Sequence, residues 1–168
     1  MSDAELWFVD LDAASAALEA VEAEIPRLSE RDRARFAKMT DETARRQRRL
    51  SHIALRVLLE RWCGTQLREA PFLVTGSGKP RLEAEAPSFS LAHTGARALI
   101  AITESGPVGV DLERARRVKV SDTRRAPIEQ AAVEMAAGVP LGGIDEDTRF
   151  LSAWVRLEAV AKAVGSGV

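Results

Sequence analysis

An α+β fold is what the sequence predicts, on three observations. Short apolar or aromatic runs, Leu6 to Leu11, Pro71 to Thr75, Ser88 to Leu91 and Ala98 to Thr103, have the length of strands and end in charged or turn-forming residues. Two longer stretches, from Thr43 to Trp62 and from Asp145 to Val164, are rich in helix formers and carry helical patterning. Between them, Gly109-Val110-Asp111-Leu112-Glu113 alternates apolar and acidic residues, the period of a strand.

Taken in order, Leu6-Trp7-Phe8-Val9-Asp10-Leu11 reads as a strand whose charged exit marks an edge or an end. Ser29 precedes a charged, helix-forming stretch, and helical periodicity resumes through Leu50, Ile53, Ala54, Val57, Leu58 and Trp62. Two helices separated near Thr40-Asp41 are therefore expected, the second closed by Gly64. Pro71 to Thr75 then runs as a strand into a turn at Gly76-Ser77-Gly78. Ser88 to Leu91 and Ala98 to Thr103 flank a bend that carries His93, the pattern of a hairpin. Pro107 introduces the carboxylate strand. Pro127 is read as the start of a helix over Ile128 to Ala137, Gly138 to Gly143 as its break, and Asp145 as the cap of a final helix through Val164. A faint echo between Trp7-Phe8-Val9-Asp10-Leu11-Asp12 and Val108-Gly109-Val110-Asp111-Leu112-Glu113 suggests two lobes.

Composition bounds the function. With 168 residues the chain can bury an ordinary core, as one domain or two small halves. The 24 basic and 25 acidic residues nearly cancel, so no global field recruits nucleic acid or an anionic membrane. Arginine is nonetheless concentrated between Arg31 and Arg56, where local anion sites can form. The single cysteine, Cys63, excludes an internal disulfide and a cysteine-based zinc cluster. No apolar run approaches the roughly 18 residues of a membrane helix, and the N-terminus is acidic rather than signal-like. The expected location is the cytoplasm.

The chemistry-bearing residues form two sets. Asp111 and Glu113 share one face of the predicted strand, and Trp154, Glu158 and Lys162 recur every four residues along one helical stripe. If the stripe faces the strand, three carboxylates and an ammonium converge, a set suited to Mg²⁺ with a phosphate. Either element alone is commonplace: Asp-x-Glu at a strand end is usually solvated, and Glu-x-x-x-Lys is a frequent surface pair. Gly76-Ser77-Gly78-Lys79-Pro80 lacks the spacing and the Ser or Thr of a P-loop, so it reads as a rigid turn presenting an ammonium. His93 stands in an apolar strand end without companion ligands, so a structural, hydrogen-bonded histidine is the plainer reading.

Gly78-Lys79-Pro80, Phe89-Ser90-Leu91-Ala92-His93-Thr94, Gly109 to Glu113 and Trp154 to Lys162, in this order and spacing, resemble the phosphopantetheinyl transferases, in particular the larger, surfactin-synthetase-activating class. The resemblance implies a pseudo-two-fold pair of small α/β lobes, short antiparallel sheets packed on long helices. Lobe 1–106 would supply coenzyme A contacts, and lobe 107–168 the metal and catalytic residues. The implied activity is Mg²⁺-dependent, with Mn²⁺ an option, and transfers the 4′-phosphopantetheine arm of coenzyme A to a serine of an apo acyl or peptidyl carrier protein. By the resemblance Asp111, Glu113 and Glu158 hold the metal, Glu158 is also the base, and Lys162 neutralises phosphate charge. Lys79, Pro80, His93 and Thr94 fall on coenzyme A contacts, with Arg35 and Arg48 near basic positions for the 3′-phosphate. The sequence departs from the pattern at Ala92, Leu157 and Val160, none of them a metal ligand. Members of the class continue into further strands after the last motif, so the second lobe is expected to be incomplete and covered by a second copy or another chain. The rival expectation is a coenzyme A or carrier-binding protein with weak or no catalysis.

Overall fold

The computed structural model of the chain describes residues 4–76, 78–82 and 87–165, so Ser77 of the predicted turn lies outside it. The fold is α+β. Its centre is a three-stranded antiparallel sheet in the order β1-β5-β4, built from β1 (Glu5–Asp10), β4 (Ser88–Thr94) and β5 (Arg97–Thr103). β4 and β5 form the expected hairpin, turning at Gly95-Ala96, where Gly95 takes the left-handed φ of 51° that a tight turn needs. β1 is an edge strand, in register Phe8 to Leu99 on β5.

One face of this sheet packs on α3 (Glu42–Cys63). Asp41 caps α3 by accepting from the Ala44 N–H at 2.9 Å, and Gly64 closes it with φ 71°. Ala54, Leu55 and Leu59 of α3 meet Phe89, Ile100 and Ile102 of the sheet in one buried cluster, and Leu50 and Ile53 meet Ala98 of β5 with Leu11, Leu28 and Phe36 in another. The period of 3.6 meeting the period of 2 thus produces the core. α1 (Ser15–Glu24) and α2 (Glu30–Ala37) pack beside α3, and α2 is capped by Ser29, which accepts from the Asp32 N–H. Arg56 is 1% exposed, pairs with Asp32 at 2.8 Å and donates from its terminal nitrogens to the Leu67 and Ala70 carbonyls, which offsets the cost of burying its charge, while its buried Nε has no partner among the described residues. The Pro71 to Thr75 strand is shorter than predicted: β2 (Leu73–Val74) pairs with β3 (Pro80–Arg81) as a two-residue ribbon.

The second half differs from its prediction. Beyond Thr103 no strand occurs among the described residues, and Gly109 to Glu113 is extended but unpaired. A strand requires a neighbour to complete its ladder. Here the Val110 N–H donates to Ser90 Oγ at 3.1 Å and the Val108 carbonyl accepts from Lys79 Nζ at 2.9 Å, so side chains take the places of a ladder. The predicted alternation survives: Val110 packs with Ala92 and Ala101 on the second sheet face, joined by Val108 and Leu112. The helix placed after Pro127 begins earlier, at Asp122, and α4 (Asp122–Met135) contains the proline. Its first turn is closed by the Arg124 and Arg125 N–H groups on the Ser121 carbonyl, and Pro127 lies past that turn, where it brings no N–H to the helix, a position that costs about 3 kcal/mol. α5 (Glu146–Val164) starts where expected, with a capping box between Asp145 and Thr148 and a left-handed Gly165 at its end.

Candidate active site

A cleft of about 430 Å³ opens where α3, the β2-β3 ribbon, β4 and α5 meet. Its walls bring together Arg35, Arg48, His52, Lys79, Pro80, His93, Glu158 and Lys162. Local structure explains how. Arg48 and His52 are one turn apart on α3, and Glu158 and Lys162 one turn apart on α5, so each pair faces the same way. Phe89, Leu91 and His93 alternate along the α3-facing side of β4, which carries His93 to the cleft while the core residues hold the strand. Thr94, one residue on, lies across the strand and does not line the cleft.

Asp111 enters from the extended segment. Its Oδ1 accepts from Lys162 Nζ at 2.5 Å, with the Asp111 side chain 12% exposed. This contact depends on Gly109: any Cβ there would collide with the Ala159 carbonyl and the Ala163 backbone nitrogen. The small residues Ala159 and Ala163 stand next to Glu158 and Lys162, and they let the segment lie directly on the helix. Glu113 is placed elsewhere. It approaches Arg116 at 3.8 Å and lines a separate groove with Gly143, Thr148 and Ser152.

The predicted gathering of three carboxylates is therefore not reproduced: among the described residues no group of three His, Cys, Asp or Glu is close enough to hold a metal. Asp111 pairs with Lys162, and Glu158 stands one helical turn before Lys162 on α5; magnesium takes one or two protein carboxylates and completes its shell from substrate phosphates, so these two are the carboxylates that could hold it.

The electrostatics are those of an anion receptor. His93 is held below the usual histidine range by burial and by the positive charges of Arg48 and Lys162, so it is neutral at physiological pH. His52 is lowered to about 3, first by burial and then by Arg35, Arg48 and Arg56, against the opposing pull of Asp32. Arg35 lies 3.1 Å from His52 Nε2 and can only donate, so Nε2 accepts and the ring proton sits on Nδ1, buried without a partner. Arg48 Nε is likewise buried and unpartnered. Lys79 is lowered by burial, and its ammonium is already engaged with protein carbonyls.

Sequence reasoning passed over His52 and Gly109. The signal for the first was its spacing of four from Arg48, and for the second the alanines flanking the Glu158 to Lys162 stripe.

Comparison with known proteins bears on this cleft. The chain is 32% identical over 123 residues to a protein of Synechocystis sp. named "Putative 4'-phosphopantetheinyl transferase". That similarity supports the phosphopantetheinyl transferases. The aligned part is 69% of this chain and 48% of the relative, so the chain spans about half the length of the curated relative it matches. No protein-family profile matches the chain. No helix among the described residues is long and apolar enough to cross a membrane.

Proposed function

We propose that the chain is a magnesium-dependent phosphopantetheinyl transferase that moves the 4′-phosphopantetheine arm of coenzyme A to a serine of an apo acyl or peptidyl carrier protein. One observation carries the reading: Glu158 and Lys162, the latter paired with Asp111, line the same cleft as Arg35, Arg48 and neutral His93. The similarity to the Synechocystis protein supports it.

The basic wall receives the phosphates of coenzyme A, with His93 acting as a neutral hydrogen-bonding group and Pro80 stiffening the turn at the cleft edge. Glu158 accepts the proton of the carrier serine as its oxygen bonds to the phosphorus bearing the pantetheine arm. The bond from that phosphorus to the bridging pyrophosphate oxygen breaks, and adenosine 3′,5′-bisphosphate leaves. Lys162 offsets charge growing on the transferring phosphate, and positioning and charge stabilisation are what such displacements need most. Magnesium would be held by Asp111 and Glu158, and would supply charge neutralisation and Lewis acidity to the pyrophosphate. Thr94 has no part in this reading, because it lies across β4 from His93.

A binding-only reading is favoured by one observation, the separation of Glu113 from the Asp111 and Lys162 pair. Intact-protein mass spectrometry of several apo carriers incubated with the chain, coenzyme A and Mg²⁺, with an EDTA control, separates the two. A metal-dependent gain of one phosphopantetheine arm is expected. No gain on carriers that a known transferase modifies, together with calorimetric binding of coenzyme A, selects the binding protein.

A further inference from the structure

Lys79 stands in a turn whose backbone is fixed on both sides. The Lys79 N–H donates to Thr75 Oγ1 at 3.1 Å, its carbonyl accepts from the Thr75 N–H at 3.0 Å, and Pro80 follows. From this rigid base the ammonium crosses the cleft and donates to two backbone carbonyls, Val108 at 2.9 Å and Ala163 at 3.3 Å. Among the described residues neither acceptor has a backbone partner. Ala163 is in the last turn of α5, where carbonyls have no intrahelical donor and the helix dipole attracts a cation. Val108 belongs to the extended segment that no strand pairs.

The two acceptors bracket the closest backbone approach in the second half. Gly109 follows Val108 and rests on Ala159 and Ala163, and Lys162 precedes Ala163 and holds Asp111. One ammonium thus ties together the two chain segments whose contact sets the Asp111 to Lys162 distance.

We propose that Lys79 is a positioning residue, a brace that seats the Val108 to Asp111 segment on the end of α5 and so places Asp111 against Lys162, rather than a group spent on coenzyme A phosphate. The brace stands on the contacts themselves. Only its purpose, setting the geometry of transfer, rests on the transferase reading.

Two variants of the full chain, Lys79→Met and Lys79→Arg, test it. Met keeps the stem and loses the donor; Arg can still reach both carbonyls. In the ligand-free protein, amide exchange across 108–112 and the last turn of α5 is expected to quicken at least tenfold in Lys79→Met, and to return most of the way in Lys79→Arg. Calorimetric affinity for coenzyme A stays within about threefold in both, and where transfer is measured kcat falls more than KM rises. Unchanged exchange in Lys79→Met overturns the brace. So does a tenfold or greater loss of coenzyme A affinity with exchange intact, which makes Lys79 a phosphate contact. Exchange needs no catalysis, so an inactive wild-type chain removes the transferase reading and leaves the brace to be judged on its own.

Discussion

Residues 5–103 and residues 108–164 combine the same two forces in different proportion. In the first, Leu50, Ile53, Leu59, Ile100 and Ile102 are removed from water entirely, and an α-helix lies flat on one face of a sheet. In the second, cations reach backbone carbonyls left over at helix ends and in unpaired chain. Arg156 donates to the carbonyls of Ala132, Val139 and Pro140, Arg125 bonds the Glu146 carbonyl and pairs with Asp147 at 3.2 Å, and Lys79 bonds Val108 and Ala163. Apolar burial is non-directional and rewards any packing that excludes water, whereas these bonds fix particular atoms at particular distances. Arg27, Arg33 and Arg56 make bonds of the same kind in the first half, but around a larger buried core, so the half that carries Asp111, Glu158 and Lys162 leans more on direction.

The contrast can be broken most sharply at Glu158. Glu158→Gln is expected to lower transfer by about 10²–10⁴-fold, the span of a lost general base, with the melting temperature unchanged. A near wild-type rate refutes its role. Leu59→Ala should act in the opposite manner, costing about 2–5 kcal/mol in denaturant unfolding because the site is fully buried, with residual activity tracking the folded fraction. A smaller effect is expected of Arg156→Met. It loses three charged hydrogen bonds, two of them facing water, for about 1–2 kcal/mol, and faster amide exchange should be confined to α4 and its exit. Uniform exchange across the sheet would show that the halves are not held separately.

The remaining effect is one of pH, and near neutrality it is the smallest. His52 titrates near 3 when folded and at 6.5 as a free group, so the unfolded chain binds the extra proton in between. Stability from this group is complete above pH 6.5 and declines as pH falls toward 3, at no more than about 1.4 kcal/mol per pH unit. His52→Phe should flatten the fall of stability between pH 6.5 and 4. An unchanged slope would place the titration elsewhere.

The same division explains what could be read in the sequence. α3 and the β4-β5 hairpin follow from periodicity, because burial writes itself as a repeat along the chain. Asp145 and Gly165 mark α5 because caps use few residue types. Val110 and Leu112 gave a correct alternation but a wrong element, since pairing depends on a neighbour that no local pattern names. Pro127 misled because it was read as a helix start, whereas α4 already begins at Asp122 and carries the proline inside it. Within the site, the Glu158 and Lys162 pair was legible through its spacing of four. The parting of Glu113 from Asp111 was not, because it depends on how the unpaired segment turns beyond Leu112.

A crystal structure with coenzyme A and Mg²⁺ tests the central claim most directly. The account predicts the pyrophosphate between Lys162 and His93, the metal on Asp111 and Glu158, and Lys79 still on the Val108 and Ala163 carbonyls. Coenzyme A bound outside this cleft, or a metal that leaves Glu158 uncoordinated, would contradict it.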